Sequence, residues 1–145
     1  MENQLPDDIY EKIHELSEAG NNLCEVNEFS RAVDQWTKAL TLLPEPKVEW
    51  EAYTWLSASV GDAQYQLGHI KIALESFFDA LNGPAGTENP YILYRLGQCH
   101  TLLDMTDKGV EFLLKTYMLD GDSLFHDDPE GLSYLKLLQD RKLVI

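Results

Sequence analysis

Apolar positions along the chain recur at spacings of three and four, the period of a helix with one buried face. Strand-like alternation is scarce, so the sequence reads as all-α. Six amphipathic helices are predicted in three pairs: residues 7–26 and 28–43, 47–67 and 69–82, and 90–103 and 105–119. "VNEF" and "LGHI" separate helices within pairs, while "LLPEP" and "NGPAGTENP" separate the pairs themselves. Proline in those latter stretches stops a helix. Asn89 followed by Pro90 has the form of an N-cap and a first helical residue. The tail predicts one more helix over about residues 129–140, capped by Asp128, started by Pro129 and turning Leu132, Leu135 and Leu138 inward.

Inside the pairs one arrangement repeats. Gly20, Gly61 and Gly97 are each followed twelve residues later by a small residue, Ala32, Ala73 and Gly109. A bulky apolar residue comes four further on (Trp36, Phe77, Leu113), and another small one three beyond that (Ala39, Ala80, Thr116). The offsets are constant inside the units, whereas the glycines stand 41 and 36 residues apart. Whole helical pairs joined by loops of variable length produce such spacing. A glycine inside a helix costs about 1 kcal/mol relative to alanine. It is tolerated where the second helix of the pair must pack close. The small residues at Ala32, Ala73 and Gly109 are expected to be the opposing notches, with Trp36, Phe77 and Leu113 filling the space between neighbouring pairs.

These residues resemble the tetratricopeptide repeat, a helix–turn–helix with Gly, Ala, an aromatic, Ala and Pro at fixed offsets. Gly20, Ala32, Trp36, Ala39 and Pro44 match in the first copy, and Gly61, Gly68, Ala73, Phe77 and Ala80 in the second. The third keeps Leu96 and Gly97 but carries Gly109, Leu113 and Thr116. Leu16, Ser57 and Leu93 stand where the motif's leading tryptophan belongs. The resemblance implies a right-handed superhelical stack of three helix pairs, over about residues 7–44, 47–84 and 90–121, plus a C-terminal capping helix, all in a single domain over 1–145. A solenoid needs such a cap to cover its last apolar face. The stretch "LLKTYMLDGDSLFHDDPEGLSYLKLL" also resembles the end of small bacterial repeat proteins encoded beside polymorphic or contact-dependent toxins, which can act as their immunity proteins.

Charge narrows the function classes. With 25 acids against 11 bases the formal net charge is −14. Such a surface repels phosphate backbones and suits a basic partner. Cys24 and Cys99 make no CxxC pair and no disulfide framework, so a reduced, cytoplasmic setting is expected. The opening "MENQLPDDIYEK" is acidic and lacks an apolar core, so no signal peptide is expected there, and no apolar run is long enough to span a bilayer.

No catalytic constellation emerges. His14, His69, His100 and His126 form neither HxxxH nor HExxH, and no metal or cofactor is expected. "DMTDKGVEFLLK" fails as a calcium loop because Lys108 and Lys115 fall where oxygen ligands are needed. Asp127 and Asp128 are better explained by helix capping than by catalysis. Cys99 fits a small buried position. The chain is therefore expected not to be an enzyme.

What remains is the inner surface lined by the first helix of each pair. Its partner-binding candidates are Asn21 and Glu25 from the first repeat, Trp55, Asp62 and Tyr65 from the second, and Tyr91, Tyr94 and Gln98 from the third. Exposed Trp and Tyr are common anchors of binding hot spots. A two-sided clamp for a chaperone C-terminal carboxylate finds only Asn21 and Arg95 in place, with Ser17, Ser59 and Tyr91 elsewhere. The expected partner is one basic protein, a cognate toxin domain with nuclease-like charge, bound by a monomer or weak homodimer. The alternative is a general adaptor or secretion-type chaperone holding a peptide of a larger machine.

Overall fold

The predicted periodicity becomes helix throughout. A computed structural model describes residues 4–145, and the first three residues of the acidic amino-terminal stretch lie outside the described residues. Among the described residues there are eight α-helices and no strand: α1 Asp7–Glu25, α2 Phe29–Leu42, α3 Glu51–Gln66, α4 Ile70–Asn82, α5 Pro90–Leu102, α6 Thr106–Asp120, α7 Ser123–Asp127 and α8 Gly131–Asp140. The chain divides into two compact units, one ending at Gly86 and the other beginning at Thr87.

In the first unit α1 packs on α2, α2 on α3 and α3 on α4. Its core gathers Ile13, Leu16, Ala32, Trp36, Ala39, Leu56 and Ala63 from three helices, with Leu43 just beyond the end of α2. In the second unit α5 packs on α6, and α8 lies against both α6 and α7. Tyr94, Val110, Leu113, Phe125, Tyr134, Leu135 and Leu138 form its core.

The three repeat glycines have equivalent surroundings. A Cβ built on Gly20 would fall 2.6 Å from Cε2 of Trp36. On Gly61 it would fall 2.9 Å from the Phe77 ring, and on Gly97 2.6 Å from Cγ of Leu113. Each glycine thus faces the residue sixteen positions later. The bulky side chain sits in the notch of its own pair, rather than only between pairs as the spacing had suggested. In the third copy the small residue also opposes its glycine, as expected: a Cβ on Gly109 would lie 2.9 Å from the Gly97 carbonyl oxygen. The Thr101 hydroxyl, bonded at 2.8 Å to that same oxygen, also crowds Gly109. The missing alanine there follows from this crowding.

The turns inside the pairs repeat as closely. Asn27, Gly68 and Asp104, each seven residues after its glycine, have φ of 63°, 81° and 64°. Asn, Asp and Gly are the residues that enter this left-handed region at least cost. The next residue closes the motif, with Glu28 N–H donating to Leu23 O (2.9 Å), His69 to Gln64 (2.9 Å) and Met105 to His100 (2.8 Å). α8 ends in the same way: Lys142 has φ of 60° and Leu143 N–H donates to Leu138 O at 3.0 Å. Leu135, seven residues before Lys142, stands where the other first helices carry glycine. α8 therefore ends like a first helix but offers no notch to a second one.

Three boundaries differ from expectation. Residues 47–49 form a short 3-10 turn, and α3 begins at Glu51 because Trp50 is extended. The linking stretch "DGDSLFHDD" contains α7, which is too short for periodicity to register. α8 starts at Gly131 rather than at Pro129, with Glu130 at its N-cap and no side-chain cap. Because Gly131 takes the inward position against the Phe125 backbone, Leu132 turns about 100° away and is 59% exposed. Tyr134 joins Leu135 and Leu138 on the buried face in its place. The Asn89–Pro90 start is as expected, with Asn89 Oδ1 accepting from Tyr91 N (3.0 Å) and Ile92 N (3.3 Å).

Candidate functional site

The first helix of each pair supplies the candidate residues, and the two units treat them differently. In the second unit most are used internally. Tyr94 is 2% exposed and Gln98 fully buried, so neither is presented to a partner. Both donate to one carboxylate oxygen, Asp128 Oδ2, from Tyr94 Oη at 2.7 Å and Gln98 Nε2 at 2.6 Å. The other oxygen, Oδ1, accepts from Glu130 N–H at 3.1 Å. Arg95 extends the network, donating from Nη1 to Gln98 Oε1 (2.9 Å) and from Nε to the Tyr91 hydroxyl (3.1 Å). Tyr91 remains half-exposed, with the Arg95 guanidinium over its ring.

This wiring corrects two expectations. Asp128 ties the link before α8 to α5 and does not cap α8, while Tyr94 and Gln98 hold it in place. Burial alone would raise the Asp128 pKa. The hydrogen bonds from Tyr94, the Glu130 backbone and Gln98, with Arg95 nearby, outweigh that and hold its carboxyl below the usual range. Burial, then the hydrogen bond to Asp128, pushes the Tyr94 phenol well above its ordinary value. Cys99 is buried, as expected. His100 is buried too, bonded through Nδ1 to Leu96 O at 2.7 Å and stacked on Phe112. Among the described residues no group of three or more His, Cys, Asp or Glu is arranged to hold a metal ion.

In the first unit the candidates reach solvent. Asn21 and Glu25 are exposed near the C-terminal end of α1, and Asp62 and Tyr65 are half-buried near that of α3. Burial, and then the Asp62 carboxylate, raises the pKa of the Cys24 thiol on α1. Trp55 is 44% exposed and belongs to a different place, the amino-terminal end of α3. There a cleft of about 680 Å³ opens between the starts of α1 and α3. Of the eight candidate residues only Trp55 lines it. Tyr10, Trp50, Asp7, Glu49 and Glu51 line it with Trp55, and sequence reasoning missed all five. "VEWEAYTW", residues 48–55, did carry a signal, because it interleaves three rings with two carboxylates.

Two of the rings lining the cleft have partners of their own. Trp50 donates its indole N–H to Pro44 O at 2.7 Å, which fixes the ring, and Tyr10 stacks on His14 at 6.4 Å. Tyr10 itself is 60% exposed. Among the described lining residues there is no lysine or arginine.

No protein-family profile matches the chain, and neither does any curated protein. Solved structures do. The C-terminal TPR-containing domain of a Plasmodium falciparum FK506-binding protein superposes with a TM-score of 0.76, at 18% identity, over 97% of both chains. MamA matches at 0.69 and 16% identity, over 90% of this chain and 69% of its own. MamA from Desulfovibrio magneticus RS-1, from residue 41 onward, matches at 0.66 and 18% identity, over 90% and 75%. The likeness extends along nearly the whole chain, and the fold is the all-α helical fold of TPR proteins.

Proposed function

We propose that this chain is a non-enzymatic protein-binding module whose partner is a single basic protein, which it neutralises in the manner of an immunity protein. The observation that carries the reading is the set of exposed rings among carboxylates on the first unit. Tyr10 and Trp55 are offered to solvent beside Asp7, Glu49 and Glu51, on a chain of net charge −14. Charge of this kind accelerates encounter with a basic surface, and rigid aromatic anchors slow release. TPR arrays bind partners on extended surfaces. The resemblance of the acidic link and closing helix to toxin-associated repeat proteins points to a toxin domain as the partner.

The test is co-expression with the C-terminal domain of the protein encoded by the neighbouring gene, the toxin-type partner that this reading requires. A complex and rescue of growth are expected, and the absence of both overturns the reading. An adaptor or chaperone role is the second reading. It is favoured by apolar side chains left open on the second unit: Met118 at 76%, Leu119 at 55% and Leu132 at 59% exposure. Salt separates the two. Between ~0.01 M and ~1 M the Debye length falls from about 30 Å to about 3 Å. The association rate of an acidic inhibitor should drop by about tenfold or more over that range, whereas capture of an apolar segment should not slow.

A further inference from the structure

The cleft between the starts of α1 and α3 has a composition that selects its occupant. Three carboxylates line it, from Asp7, Glu49 and Glu51, with no lysine or arginine beside them among the described residues. Two helix amino-termini, at Asp7 and Glu51, also open there. Each contributes roughly half a positive charge. Against three carboxylates that leaves the cleft negative, so it favours a cation over a carboxylate. The rings narrow the choice of cation. A guanidinium is planar, weakly hydrated and able to stack on an aromatic face while its N–H groups meet carboxylates. An ammonium is compact and strongly hydrated, and gains less from indole and phenol walls. At about 680 Å³ the cleft exceeds one side chain and suits a short segment.

We propose that this cleft receives an arginine-bearing segment of the protein partner, the guanidinium lying against Trp55 and Tyr10 with Glu51, Glu49 and Asp7 accepting its hydrogen bonds. The inference rests on the basic-partner reading and names its point of contact. It places the contact at the amino-terminal ends of the first helices, about four to five turns along α1 from Asn21 and Glu25.

The test uses the full chain, ¹⁵N-labelled, titrated with a short arginine–serine peptide and with its lysine–serine counterpart. The arginine peptide should shift the indole N–H resonances of Trp50 and Trp55 to saturation. It should leave unmoved that of Trp36, which is buried and bonded to Ser17 O. The lysine peptide should bind about threefold or more weakly. Trp55→Ala should weaken the arginine peptide about tenfold, as loss of an aromatic anchor does, and Glu51→Gln by a few-fold. Equal affinity for the two peptides, or arginine binding that both variants leave intact, overturns the assignment. Binding of the toxin-type domain separates this failure from that of the parent reading. If Trp55→Ala and Glu51→Gln bind that domain as tightly as the parent chain, the cleft is wrong and the basic-partner reading stands. If the parent chain does not bind it at all, the broader reading falls.

Discussion

At the scale of single residues, the contact between Gly61 and Phe77 decides how closely α3 and α4 approach. Two effects oppose each other when Gly61 becomes alanine. Helix propensity favours the change by about 1 kcal/mol. The new methyl would lie 2.9 Å from three atoms of a fully buried ring, and overpacking of a filled core costs about 1–3 kcal/mol. Overpacking wins, so Gly61→Ala is expected to lower stability, and Gly61→Leu, far bulkier, to unfold the first unit. The ring is the cause, so Gly61→Ala should cost less in a Phe77→Leu background. A double-mutant cycle in urea, followed by tryptophan fluorescence, reads that coupling. Strict additivity would place the strain elsewhere. The sequence made the glycines, small residues and bulky residues legible as one repeated set. Periodicity says which residues share a face. It does not say what fills the notch, and here the bulky residue sixteen positions on reaches into it.

At the scale of elements, the turns and the tail link set the packing of the helices. Asp104 holds a left-handed conformation that a β-branched residue adopts only with strain. Asp104→Val is therefore expected to cost about 1–2 kcal/mol, and Asp104→Gly nothing comparable. Urea midpoints of the two variants check this. In the link, Asp128 receives two donors on Oδ2 and one on Oδ1. An asparagine offers one acceptor oxygen and sets an N–H₂ against a remaining donor. Asp128→Asn should cost about 1–3 kcal/mol at neutral pH, the range for a part-buried donor left unpaired. The pH dependence has a fixed sign. The folded-state pKa of Asp128 lies below its unfolded value. Its carboxylate therefore stabilises fully above the ordinary carboxylate pKa of about 3.9, and the contribution fades as pH falls through the folded value. The gap between parent and variant, followed by circular dichroism, should narrow below about pH 4. A gap independent of pH would remove the carboxylate from the account. This link was the part of the fold hardest to read in advance. An Asp before a Pro has the local form of a cap, and the donors that claim Asp128 lie 34 and 30 residues away in sequence. The eight candidate residues suffered from the same blindness: a helical face was identified, but its buried half, Tyr94 and Gln98, could not be told from its open half.

At the scale of the whole molecule, net charge acts on folding and on binding with opposite signs. Fourteen uncompensated negative charges repel one another in the compact state more than in the expanded chain. Sodium chloride screens that repulsion, so the thermal midpoint of the free chain should rise between ~0.01 M and ~1 M salt. The same screening weakens attraction to a basic partner, so the affinity of the complex should fall over that range. The composition alone makes the first effect foreseeable. The second depends on where the rings stand, and no local pattern joins Tyr10 to Trp50 across 40 residues of sequence. Their meeting follows only once α1 and α3 belong to one folded unit. An acidic inhibitor with its contact at that cleft must show both responses together, a midpoint that climbs and an affinity that drops. If midpoint and affinity climb together with salt, binding is driven by apolar burial, and exposed apolar side chains such as Met118, Leu119 and Leu132 replace the acidic cleft as the place where the partner sits.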